Sequence, residues 1–153
     1  MSEKSLDDLA KAMRDIDITI LSTISETGAI CGRPMSNNRD VDFDGNSYYF
    51  TSSEGEIATQ IAANPQVGLG LQGHHGLYIA VTGHAALIRD KAAFSEHWTK
   101  SLDKWFEHGI ETPGLVLVHV KADSVQFWDG RDTGEFNGPQ PHPSNPHFKW
   151  TFF

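Results

Sequence analysis

The chain is poor in cysteine, in basic residues and in long apolar runs. Cys31 is the only cysteine among 153 residues, which excludes an internal disulfide and fits a reducing, cytoplasmic setting. Lys and Arg number 12 against 20 Asp and Glu, a formal charge of −8. Nucleic acids and anionic membranes both require clustered cations on a partner, so neither is expected here. No apolar run approaches the roughly 20 residues that span a bilayer. The opening MSEKSLDDLAKAMRDID is charged and has no apolar core, so no secretory signal is expected there. Also missing are a Ser-His-Asp elbow, a glycine-rich phosphate loop and a paired-carboxylate motif. No motif therefore names a catalytic side chain.

What is present suits one globular unit. Hydrophobic residues make up 39% of the chain, which excludes disorder throughout. Between Arg14 and Arg89 the only basic residues are Arg33 and Arg39. An anionic ligand would need a local positive spot against a negative background, and these two are the candidates for it.

Leu6, Leu9, Ala10 and Met13 recur at helical spacing, which predicts an amphipathic helix of about three turns with Ser5 and Asp8 as its cap signature. Ile16, Ile18 and Ile20 then alternate with polar residues, as in a half-buried strand. After a Glu26-Thr27-Gly28 turn, residues 29–35 return as a second strand. Pro34 has no N–H, which places that strand at an edge or a bulge. Asp44-Gly45 is a hairpin signal, 47–51 a strand, and 56–63 a helix stopped by Asn64-Pro65. Strands follow at 66–72 and 77–89, with Gly83 permitting a bulge. Residues 91–106 read as one helix; 115–120 and 124–128 read as two strands joined by Lys121-Ala122-Asp123.

About seven strands and two or three helices predict a mainly β (α+β) fold, a barrel or a sandwich. From Gly130 onward the chain holds Pro139, Pro141, Pro143 and Pro146 together with Phe136, Phe148, Trp150, Phe152 and Phe153. The prolines predict irregular chain, and the aromatics predict that it docks. The expected organisation is one domain over 1–130 and a tail over 131–153 packed on that domain or on a partner subunit.

Flat rings concentrate between 98 and 128, where Trp98, Trp105, Phe106 and Trp128 occur. Such rings form ordinary core or subunit interface, or the wall of a site for a planar cofactor.

Ile18-Thr19-Ile20-Leu21-Ser22-Thr23, Gly32-Arg33-Pro34-Met35, Tyr49-Phe50-Thr51-Ser52, Ile61 through Asn64-Pro65, and Tyr78 through Ala85 occur in that order before the tryptophan block. Over residues 6–130 this series resembles the pyridoxamine 5′-phosphate oxidase-like family, and within it the bacterial general-stress-protein branch. The resemblance implies an FMN-binding split β-barrel that forms a homodimer, with FMN or FAD in the clefts between subunits. It implies that Arg33, Pro34 and Met35, and the strand end Phe50, Thr51, Ser52 and Ser53, hold the phosphate and one side of the ring. It also implies that Trp98, Trp105 and Trp128 flank the ring across the interface. The residue types suit those roles: a guanidinium and hydroxyls for a phosphate, and apolar flat groups for an isoalloxazine.

One departure stands out. The oxidases' basic Arg-Lys pair is replaced by Glu56 and Ile57, and the lysine common in the stress branch by Ser53-Glu54. The oxidases' C-terminal substrate-binding Arg-x-His segment is also not recognisable, so pyridoxamine 5′-phosphate oxidation is not expected.

Each residue also has a plainer role. Arg33 can be a solvated strand-end arginine, Thr51 and Ser52 can cap the helix at 56 or shape its turn, and the tryptophans can be core or interface. His74 and His75 point apart on a loop, His142 and His147 share only a spacing, and Cys31 reads as a half-buried thiol. No metal site is expected. Three functions compete. One is a flavin-dependent oxidoreductase acting on an unidentified small molecule in a stress response. Another is a non-catalytic flavin-binding stress protein, a carrier or sensor. The third is a binder of a different cofactor, such as deazaflavin or haem.

Overall fold

Period-two runs with turn residues between them build a single antiparallel sheet in the computed structural model of the chain. The structure describes residues 4–37, 43–130 and 132–137, and the backbone of 151–152. Helix α1 (Leu6–Met13) opens it, and Ser5 and Asp8 exchange the two hydrogen bonds of a capping box. Those bonds satisfy two N–H groups that the first turn leaves unpaired, a gain of about 1 kcal/mol. The strands are β1 (Ile18–Ile24), β2 (Ile30–Ser36), β3 (Asn46–Ser52), β4 (Gln66–Gln72), β5 (Leu77–Ile88), β6 (Leu115–Asp129), β7 (Asp132–Asn137) and β8 (Thr151–Phe152). Helix α2 (Glu56–Ala63) lies between β3 and β4, and α3 (Lys91–His97) follows β5.

The order along the sheet is β2-β1-β4-β5-β6-β7-β8, with β3 also paired to β6. The long strand β6 therefore serves two halves. Residues up to Lys121 pair with β3, and residues from Ser124 pair with β7. Opposite this division the β5 register slips between Thr82 and Gly83. Only glycine fits there, because a Cβ on residue 83 would lie 2.2 Å from the Lys121 carbonyl oxygen. This is the mainly β split barrel with peripheral helices that the sequence predicts. Its interior is built on Leu9, Leu21, Val81, Val125 and Phe127, all at most 2% exposed. Burying one such side chain contributes about 1.5–3 kcal/mol. A smaller cluster of Phe50, Phe94, Leu115 and Leu117 packs under α3.

Several local expectations are corrected. In β1 it is Thr19, Leu21 and Thr23 that face inward, whereas Ile18 and Ile20 are 49% and 44% exposed. Alternation distinguishes two faces of a strand but does not say which is covered. Asp44-Gly45 does turn the chain, with Gly45 at φ 99, yet no β2–β3 hairpin forms; β3 pairs with β6 instead. The helix expected over 91–106 stops at Trp98, whose backbone is extended, and resumes as a 3₁₀ segment, Lys100–Lys104. The cause is tertiary: the Trp98 ring packs edge-on against Phe50 and Phe106, and its Nε1 donates to Asp103. Lys121-Ala122-Asp123 is strand rather than turn, absorbed by the bulge opposite Gly83. The sheet also continues beyond Gly130 into β7, where irregular chain was expected.

The expectations for β2, α2 and β4 hold. β2 is a sheet edge among the described strands, as Pro34 requires, and α2 and β4 have the predicted limits. His74 and His75 are exposed on their loop, and among the described residues no group of His, Cys, Asp and Glu could hold a metal ion. No helix there is long and apolar enough to cross a membrane. Arg39, His142, His147 and the tail aromatics Phe148, Trp150 and Phe153 lie outside the described residues.

Candidate functional site

The end of β2, the middle of β3 and the 3₁₀ segment after α3 enclose a cleft of about 500 Å³, within the usual range for small-molecule sites. Pro34, Met35, Phe50 and Trp105 line it, four of the ten residues expected at a cofactor site, together with Tyr48 and Phe106. Among the described residues no Asp, Glu, Lys or Arg lines it. Its polar groups are hydroxyls, the Asn37 amide and His97. Asn37 is itself fixed, donating to the carbonyls of Met13 and Ile16. The cleft thus suits a flat, uncharged group with a polar edge.

Arg33 sits one residue before the cleft. Cys31, Arg33 and Met35 share one half-buried face of β2, and Gly32, Pro34 and Ser36 the exposed one. The guanidinium Nη1 donates to Thr23 Oγ1 at 2.7 Å and to the Leu21 carbonyl at 3.3 Å, and Nη2 donates to Gln60 Oε1 at 3.4 Å. These partners are neutral. Among the described residues no carboxylate pairs with Arg33, so its charge is held in place but not cancelled. That is what an anion site needs.

Thr51, Ser52 and Ser53 continue from Phe50 towards α2. Ser52 does not cap that helix. Its Oγ accepts from the Glu54 N–H and shapes the turn, and the N-cap is Gly55 with no side-chain bond to the helix. Amide groups in the first turn of α2 therefore lack a side-chain cap. Ser53 is tied by its N–H to the Gly114 carbonyl. Glu54 and Glu56 are exposed here and, with Glu26, rim a shallow depression beside Gln60. Ile57 packs against the main core. The first two positions of α2 thus carry an exposed carboxylate and a core side chain, with no cation.

Trp98 and Trp128 lie elsewhere. Trp98 is behind Phe50 in the smaller core. Trp128 is on β6, 43% exposed and opposite Tyr78 of β5. Together with Ile18 and Ile20 they border a broad groove on the outer face of the sheet.

Sequence reasoning missed Gln60 and a stack of three rings. Tyr48 lies between His97 at 3.7 Å and His119 at 4.6 Å, and His119 Nε2 meets Asn46 Oδ1 at 2.8 Å. Strand alternation puts Tyr48 and Phe50 on one face, but the histidines come from distant segments with no signal linking them. Burial, with Lys121, His97 and His84 beside it, lowers His119 to about 4, and Asp44 opposes this. Burial also raises Tyr49, to about 12. Because unfolded His119 takes its proton near the ordinary 6.5, its contribution to stability is full above that pH and is lost as pH falls towards about 4. The urea midpoint should fall over this window, and less so in His119→Phe, which keeps a ring but cannot titrate. Equal slopes in the two proteins would exclude His119 as the cause.

Residues 4–137 match the family model described as "Pyridoxamine 5'-phosphate oxidase like". Among solved structures, the General Stress Protein 26 of Bacillus anthracis str. Sterne is 25% identical, with a TM-score of 0.65 over 77% of this chain and 88% of that one. The general stress FMN/FAD binding protein of Xanthomonas citri is 22% identical, with a TM-score of 0.72 over 86% and 92%. A pyridoxamine 5'-phosphate oxidase-related, FMN binding protein of Nostoc punctiforme PCC 73102 shares the fold at 11% identity, with a TM-score of 0.73 over 100% and 98%. No curated protein matches the chain. The family match over most of the chain, on a split barrel that carries its Arg-Pro-Met strand beside an aromatic cleft, places this chain in the pyridoxamine 5'-phosphate oxidase-like family.

Proposed function

We propose that this chain is the subunit of a homodimeric flavoprotein that binds FMN, or FAD, and acts as an oxidoreductase on a small uncharged molecule in a stress response. The observation that carries the reading is the junction of an aromatic cleft with an arginine held only by neutral partners. Pro34, Met35 and Phe50 would take one side of the ring. Arg33, Thr51, Ser52 and Ser53 would take the phosphate. Family membership and the flavin-binding names of two similar structures support the cofactor class. Flavin, when bound, supplies electron transfer; the chain's own residues bind it, orient it and exclude water. The uncharged lining favours a neutral co-substrate, and an anionic one such as pyridoxamine 5′-phosphate would find no Lys or Arg among the described residues of the cleft.

Dimerisation is supported by the outer face of the sheet. Ile18 and Ile20 on β1, Tyr78 on β5 and Trp128 on β6 are each more than 40% exposed and border one groove that also takes in Gly70 of β4, an apolar patch of the kind that marks an interface. We expect the wild-type protein to sediment as a dimer and Ile20→Asp as a monomer. A wild-type monomer, or an unaltered variant, would remove this part of the reading.

The spectrum of the purified protein, before and after adding FMN, tests the flavin directly. A colourless protein that takes up no FMN contradicts it and leaves deazaflavin or haem to be tried. A non-catalytic carrier or sensor is the second reading, favoured by the lack of a charged acid or base among the described residues of the cleft. Anaerobic reduction with NADH or NADPH, then reoxidation by neutral quinone or nitroaromatic acceptors, separates the two: turnover supports the enzyme and its absence the carrier.

A further inference from the structure

Gln60 occupies an unusual position for a neutral side chain. It is 7% exposed and comes from the second turn of α2, where it contacts both a cation and an anion. Its Oε1 accepts from Arg33 Nη2 at 3.4 Å and from the Thr23 hydroxyl, while its Nε2 donates to Glu56 Oε1 at 2.9 Å. These partners determine the orientation of the amide. Arg33 has only donors to offer and the carboxylate only acceptors, so a flipped amide would lose both bonds.

From this we infer that Gln60 is a positioning residue that insulates Arg33 from Glu56. This rests on the flavin-phosphate reading of Arg33. Glu56 and Gln60 are one helical turn apart and face the same way. The guanidinium and the carboxylate are therefore separated by a single amide group. Without the amide between them, the guanidinium and the carboxylate would pair directly. Arg33 would then be occupied, and an incoming phosphate would have to displace a carboxylate. With Gln60 in place the guanidinium keeps its full charge, aimed by Thr23 and the Leu21 carbonyl. The arrangement explains how a chain with glutamate at the start of α2 retains an anion site. It also makes Gln60 a determinant of preference for phosphorylated over unphosphorylated flavin.

The test compares the dissociation constants of FMN and riboflavin, which differ only by the phosphate, measured by fluorescence titration. Wild type should prefer FMN; no preference would refute the phosphate role of Arg33 itself and not merely this inference. Gln60→Ala should reduce the preference by about tenfold, the loss of one charged hydrogen bond, with riboflavin affinity little changed. Adding Glu56→Gln to Gln60→Ala should restore it, because the competing carboxylate is gone. Gln60→Glu keeps the shape of the side chain if Gln60→Ala does not fold; it should abolish the preference, and Glu56→Gln should not rescue it. An unchanged preference in either single variant overturns the inference. So does a loss in Gln60→Ala that Glu56→Gln fails to restore.

Discussion

Replacing Arg33 with alanine is expected to weaken FMN binding by about 1.5–3 kcal/mol, the range for a hydrogen bond to a charged group. This is about a 10- to 150-fold rise in Kd. Riboflavin affinity should hardly move, because riboflavin has no phosphate for the guanidinium to grip. The fold should survive. Arg33 is on an edge strand, and its loss leaves Thr23 and Gln60 bonded to each other. Parallel titrations with FMN and riboflavin, beside a thermal melt, separate a ligand effect from unfolding. An unchanged Kd for FMN would remove Arg33 from the site.

Gly83→Ala is expected to be the most damaging single-methyl addition to the sheet. Its Cβ would meet the Lys121 carbonyl oxygen at 2.2 Å, and a backbone atom cannot rotate away as a side chain can. We expect a loss of about 3 kcal/mol, the upper part of the range for overpacking, read as a lower urea midpoint. The consequence reaches the site. Gly83 and its partners mark where β6 changes from serving β7 to serving β3, and β3 carries Tyr48 and Phe50 into the cleft. Flavin affinity should fall along with stability. A variant as stable as wild type would mean that the two halves of the sheet adjust freely at the bulge.

Much of this architecture could be read in the chain itself. Asn64-Pro65 ends α2 because the residue before proline leaves the helical region. Ser5 and Asp8 form the cap their spacing suggests. Gly83 marks a bulge because no other residue fits. These are local effects, complete within a few residues. What stayed hidden depends on distant partners. The choice of β6 over β2 as partner for β3 is made some 70 residues away. The break at Trp98 is driven by rings from β3 and from the following segment.

The site follows the same division. Pro34, Met35 and Phe50, which the family resemblance implies, line the cleft together with Trp105. Trp98 and Trp128, equally aromatic in sequence, end up in a core and on the outer face. Gln60 was invisible. Its importance comes from Thr23 and Arg33, 37 and 27 positions away, and a glutamine on a helix carries no motif.

Sedimentation velocity of the protein mixed with FMN, followed at both protein and oxidised-flavin absorbance, tests the central claim most directly. The account predicts one boundary of dimer mass that carries one flavin per chain. A flavin signal left behind at the top of the cell, or a flavin-free boundary of monomer mass, would contradict it.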